Sequence, residues 1–157
     1  EPAVGVSVDG AFLATNTGAM IDVIDIESIE ILRGPQGSLY GRNTIGGTIN
    51  IKRTRPTGEF GGKLIGSFGS FDNSEVKGLL NFPVTENLAV KIAGFSLQGD
   101  AHTKNIDTGK RDDGIDKTAF TVSALYTPSD NFELQLTFDT MDDNSEYAGS
   151  VNLTQPS

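Results

Sequence analysis

The chain has 157 residues, about one ordinary domain's length, with 12 basic and 21 acidic side chains and a formal net charge of −9. That balance argues against nucleic acid as a partner, because phosphate neutralisation needs clustered Lys and Arg. Cysteine is absent, which removes disulfides, thiolate metal sites and Cys nucleophiles, and no run of about 18 apolar residues offers a membrane-spanning helix, although alternating strands could still span.

The chain opens Glu1-Pro2-Ala3 and closes in the polar stretch Val151 to Ser157, the expected look of a piece cut from a longer protein. Charge divides it near Thr57-Gly58. Residues 1–58 carry five basic and six acidic side chains, and the remainder seven and fifteen. The expected domains are therefore 1–58 and 59–157.

In the first part, Val4 to Val8 alternates and meets Asp9-Gly10, a pair that tolerates the positive φ angles of a tight hairpin, before Ala11-Phe12-Leu13. Ile29 to Leu32 reads as a short strand ended by Gly34-Pro35. Pro35 suits the start of a short helix, Pro35 to Tyr40, that Gly41 would close. Thr48 to Lys52 alternates again. These elements predict a small, Gly-rich α+β unit.

The second part reads as strands alone. Phe132 to Asp139 places Phe132, Leu134, Leu136 and Phe138 on one face and Glu133, Gln135, Thr137 and Asp139 on the other, a period of two that no soluble helix has. Phe120, Val122, Ala124 and Tyr126 repeat the pattern, and Val76 to Phe82 repeats it more weakly. Leu88 to Gln98 carries apolar residues on both faces, so a register shift or bulge is expected there. Phe82-Pro83-Val84-Thr85-Glu86-Asn87-Leu88 and Tyr126-Thr127-Pro128-Ser129-Asp130-Asn131-Phe132 form an internal repeat, read as two tight turns. The opposite ends are served by a short connection at Gly69 to Asn73 and a long polar one from Asp100 to Asp116. Short turns on one side and long loops on the other fit an outer-membrane barrel. A soluble antiparallel sandwich with one wet face fits the alternation as well.

Several motifs lead nowhere. Gly41 to Thr48 approaches a phosphate-binding loop, but Gly47 replaces its lysine and a strand follows instead of a helix. His102 is the single histidine, set in a polar loop without partners for catalysis or metal. Asp112-Asp113-Gly114-Ile115-Asp116 and Asp142-Asp143 lack Ca²⁺-loop spacing. Nothing places two carboxylates in a cleft for glycoside hydrolysis.

The run Ile29-Glu30-Ile31-Leu32-Arg33-Gly34-Pro35-Gln36-Gly37-Ser38-Leu39-Tyr40-Gly41-Arg42-Asn43, continuing through Gly46, Gly47 and Asn50 to Ile51, closely resembles the late plug-domain motif of the TonB-dependent outer-membrane receptors. The resemblance extends over nearly the whole chain. It implies a mainly β fold, with the C-terminal part of an α+β plug followed by about five of the roughly 22 antiparallel strands of a transmembrane β-barrel. Phe120, Val122, Phe132, Leu134, Leu136 and Phe138 would then face lipid.

The same resemblance implies gated uptake of a scarce nutrient, most often a ferric siderophore, driven by TonB and its inner-membrane energising complex. No enzyme activity and no cofactor are implied. Arg33 and Glu30 become candidates for polar contacts between plug and wall, against an ordinary surface ion pair. The acidic loops disfavour anionic cargo unless residues such as Lys104, Lys110 and Arg111 offset them. A barrel segment alone leaves strand edges unsatisfied in lipid, so the isolated chain is expected to aggregate or to need detergent. The competing reading is a soluble or surface-exposed β-rich module that binds glycans.

Overall fold

The structure, a computed structural model, describes residues 4–13, 25–37, 44–100, 103–104, 111–112 and 114–145. Contacts divide the chain into two compact units, Glu1–Pro56 and Thr57–Ser157.

The first unit holds β1 (Val4–Val8), β2 (Ala11–Phe12), β3 (Ile26–Arg33) and β4 (Gly47–Arg53) in one sheet of order β2-β1-β4-β3. The hairpin read from Asp9-Gly10 is present: Ser7 opposes Phe12, and both turn residues have positive φ, 47° and 83°. The β1 strand runs parallel to β4, which aligns Val6 with Ile49 and Val8 with Ile51. Val6, Val8 and Ile51 form the core, joined by Leu13, Ile26 and Ile49. A register shift between Ile26 and Ser28 lets Ile26 reach this apolar face together with Ile29 and Ile31. The other face is polar: Ser7 donates to Asn50 Oδ1 at 2.7 Å and Thr48 to the Gly5 carbonyl at 3.2 Å.

The helix expected over Pro35–Tyr40 does not begin at Pro35. Instead the Gly34 N–H bonds the Gly46 carbonyl at 3.1 Å and the Gln36 N–H bonds the Thr44 carbonyl at 2.9 Å, so the β3–β4 ladder continues past the strand ends. Gly37 is helical, and the rest of the expected helix, Ser38 to Tyr40, lies outside the described residues.

The second unit is an antiparallel sheet of order β11-β10-β7-β6-β5, with β5 (Gly61–Phe68), β6 (Ser74–Thr85), β7 (Leu88–Gly99), β10 (Ile115–Ser129) and β11 (Phe132–Asp143). A two-stranded ladder, β8 (Thr103–Lys104) with β9 (Arg111–Asp112), sits within the long connection. The bulge expected inside Leu88–Gln98 is absent, for Leu88 to Gly99 pairs with β10 in unbroken register. The shifts fall at Pro83/Thr85 and Tyr126/Ser129, in the two copies of the repeat. Pairing skips Val84, which follows Pro83, and Thr127 with Pro128; proline has no N–H to give a ladder, so each shift lies at or beside one.

Candidate functional site

Directly opposed residues in a sheet share a face, so the register sorts every strand of the second unit. The even-numbered face carries Leu64 and Phe68, Val76, Leu80 and Phe82, Leu88, Val90 and Ile92, Phe120, Val122 and Tyr126, then Phe132, Leu134, Leu136 and Phe138. Its charged members, Asp116 and Asp142, stand at the end of the sheet beside the long connection. The odd-numbered face carries Lys63, Lys77, Lys91 and Lys117 with Glu75, Glu133, Asp139 and Asp143, among Ile65, Leu79, Phe95 and Leu97.

All six residues expected to meet lipid, Phe120, Val122, Phe132, Leu134, Leu136 and Phe138, fall together on the even face. Leu136 and Phe138 are 63% and 66% exposed, and Leu64 is 79% exposed. An apolar sheet face of this extent is costly in water at about 25 cal/mol per Å² and costs nothing against acyl chains. This weighs against the soluble sandwich.

The polar face is organised in cross-strand rungs between β10 and β11. Lys117 Nζ lies 3.2 Å from Asp143 Oδ2, Thr121 donates to Asp139 at 2.8 Å, and the hydroxyls of Ser123 and Thr137 share a hydrogen bond of 3.1 Å. Each pair is directly opposed. On β6, Lys77 meets Glu75 two residues along the same face at 2.6 Å. Lys91 is only 1% exposed and stands between Asn81 and Ser123 in the same row. The sequence gives a signal for Lys91, since it is the charged residue between Ala89 and Ala93 on one face, but apolar residues on both faces of that strand hide it.

The plug motif is partly brought together. Glu30 and Asn50 are register partners on the polar face of the first sheet, and Asn50 also accepts from Ser7. Arg33 opposes Gly47 on the other face, so Glu30 and Arg33 do not pair with each other; both are exposed. Gly34 and Gly46 are tied through their backbones. Pro35 follows in a described loop and Gly37 is helical, whereas Tyr40, Gly41 and Asn43 lie outside the described residues. At Gly47, φ is +146° and a Cβ would collide with the Leu32 carbonyl oxygen, so no other residue fits the bend that starts β4.

Sequence reasoning missed two contacts here. Asp9 holds Arg53, accepting from its backbone N–H at 2.9 Å and from Nε at 2.6 Å, and Thr54 donates to the buried Asp25 at 2.6 Å. Asp9 could have been found as an acid at a turn whose carboxylate is free to accept backbone N–H groups.

Among the described residues no group of His, Asp and Glu is arranged to hold a metal. No helix of the described residues is long and apolar enough to cross a membrane, which leaves crossing by strands untouched.

Residues 1–48 match the family model described as the TonB-dependent receptor plug domain. The pesticin receptor of Yersinia pestis is 41% identical over 89 residues, 56% of this chain and 13% of that protein. The ferric enterobactin receptor of Pseudomonas aeruginosa is 30% identical over 106 residues, 63% of this chain and 14% of that protein. The chain thus spans well under a quarter of these relatives. Among solved structures, the ferric yersiniabactin uptake receptor FyuA from Yersinia pestis superposes with a TM-score of 0.79 at 31% identity, over 88% of this chain and 22% of that one. The pyoverdine outer-membrane receptor FpvA from Pseudomonas aeruginosa shares the fold with a TM-score of 0.75 at 23% identity, over 93% of this chain and 22% of that one. Residues 1–48 belong to the plug family of the TonB-dependent receptors, and the strands that follow share the fold of the matching segment of these solved receptors.

Proposed function

We propose that the chain forms the end of the plug and five consecutive wall strands of a receptor that imports a ferric siderophore across the bacterial outer membrane, with TonB as its energising partner. The observation that supports this best is the two-faced sheet of β5, β6, β7, β10 and β11, apolar and exposed on one side, ion-paired on the other. Such a sheet closes only with more strands, and about 22 make a plugged barrel of this class. The siderophore assignment draws on relatives whose names include ferric enterobactin, ferripyoverdine and ferric yersiniabactin. Transport of this kind makes and breaks no covalent bond, so the residues act by shape and charge and no catalytic group is assigned.

The test is uptake of iron-labelled siderophores by iron-starved cells, with and without the gene. Uptake of at least one ferric siderophore that needs both the gene and TonB is the expected result. Uptake that persists without either one would overturn the assignment.

A further inference from the structure

Resting on that reading, we infer that the outward face of β5, β6, β7 and β10 holds one lipid acyl chain in a fixed seat, whereas the neighbouring β11 face meets lipid without such a seat. A groove of about 540 Å³ opens on the even face, walled by Leu64 and Phe120 and floored by Gly78 and Gly94. In register, Leu64 opposes Gly78, Gly78 opposes Gly94, and Gly94 opposes Phe120, so one row crosses four strands with side chains only at its ends. Neighbouring strands lie about 4.8 Å apart, and the two walls lean in over this floor, with Leu64 Cδ1 3.7 Å from where a Gly78 Cβ would stand and Phe120 Cδ2 3.5 Å from where a Gly94 Cβ would stand. Leu80 and Ile92 close the groove toward the short turns.

The occupant follows from continuity and charge. The groove is part of the same apolar face as Phe132 to Phe138, the nearest charged residues of that face stand at its far end, and the floor is backbone whose N–H and C=O groups are already used within the sheet. Lys63 is the one charged residue of the lining, and by register it belongs to the odd-numbered face; the rest of the lining is apolar or glycine. A saturated hydrocarbon chain satisfies every surface that the groove presents. Sterics do not force the depression at Gly78, where a Cβ would meet only Leu64 Cδ1 at 3.7 Å, an ordinary contact. A methyl group would therefore fit at Gly78, whereas at Gly94 a Cβ would stand 3.0 Å from the Ala119 carbonyl oxygen, so the floor is held bare by sterics at one glycine and not at the other.

The experiment reconstitutes the whole receptor that carries this sequence in vesicles of outer-membrane phosphatidylethanolamine bearing a mid-chain diazirine. After photolysis, label is mapped to peptides by mass spectrometry. Label over Gly62–Leu64 and Gly78–Leu80 is expected to exceed that over Leu134–Phe138 about fourfold, the enrichment that one methylene's worth of extra contact supports. Gly78→Leu should abolish the excess while leaving Leu134–Phe138 labelled. Phe120→Ala, which removes one wall without adding bulk, should also reduce it and guards against a Gly78→Leu protein that fails to fold. Equal labelling of both segments would overturn the seat and leave the membrane-facing assignment standing. Labelling confined to the odd-numbered face would overturn both.

Discussion

Asp9 and Arg53 are 44 positions apart, yet the Asp9 carboxylate accepts from both the Arg53 backbone N–H, at 2.9 Å, and its Nε, at 2.6 Å. The contact fastens the β1–β2 turn to the end of β4, next to the core of Val6, Val8 and Ile51. A carboxylate bound in two places by one residue constrains that strand end more than a single surface ion pair does. Asp9→Ala should accordingly cost the plug unit about 1–3 kcal/mol, whereas Glu27→Ala, which breaks the exposed 3.1 Å pair with Lys52, should cost about 0.5 kcal/mol or less. Hydrogen exchange at β4 amides in the intact receptor measures both.

Gly47 sets a second expectation. Its φ of +146° and the Leu32 carbonyl oxygen against its open side leave no place for a methyl group. Gly47→Ala should destabilise the plug unit by at least about 2 kcal/mol through backbone strain and clash. Gly37→Ala, where nothing stands within 4 Å and φ is not positive, should stay within about 0.5 kcal/mol. Urea unfolding of the two variants in parallel decides it.

The two faces of β11 predict opposite tolerances. Leu136→Lys places an ammonium among Leu134, Phe138 and Val122 and should cost about 2–4 kcal/mol of barrel stability in a bilayer. Gln135→Lys, one residue away on the polar face, should be accepted with little change. Reversible unfolding in phospholipid vesicles compares them. Equal cost at both positions would mean that the faces are not distinguished by solvent.

Much of the fold was legible in the sequence where one face was purely apolar, as in Phe132 to Phe138, or where turn chemistry was explicit, as at Asp9-Gly10. The β7 strand was not legible in the same way. Ala89, Ala93, Phe95 and Leu97 share their face with a buried Lys91, so apolar residues on both sides imitate a slipped register where pairing is in fact continuous. The true shifts were signalled by chemistry rather than pattern, since each copy of the repeat contains a proline. The plug motif was recognisable as a string. That Glu30 and Arg33 stand on opposite faces follows from their odd spacing on a strand and could have been read from it.

Lys117 and Asp143 close the polar row nearest the long connection, 3.2 Å apart and directly opposed on β10 and β11. Asp143 also accepts from the Ser145 N–H at 3.2 Å, so the carboxylate ties the two strands and the chain that follows β11 together. Lys117→Met should destabilise the β10–β11 pair, and Lys117→Met combined with Asp143→Leu should recover much of that loss. A double-mutant cycle read by thermal unfolding in detergent provides the measurement.

The chain has no cysteine, so single cysteines can be introduced one at a time along Phe132–Asp139 without background. Spin labels at these positions in the receptor reconstituted in lipid vesicles report whether each site meets oxygen in the acyl phase or a water-soluble relaxation agent. The expected result is strict alternation, with positions 132, 134, 136 and 138 in lipid and 133, 135, 137 and 139 in water. Labels at all eight positions accessible to water, or the reverse phase of alternation, would contradict the assignment of this sheet to a membrane wall.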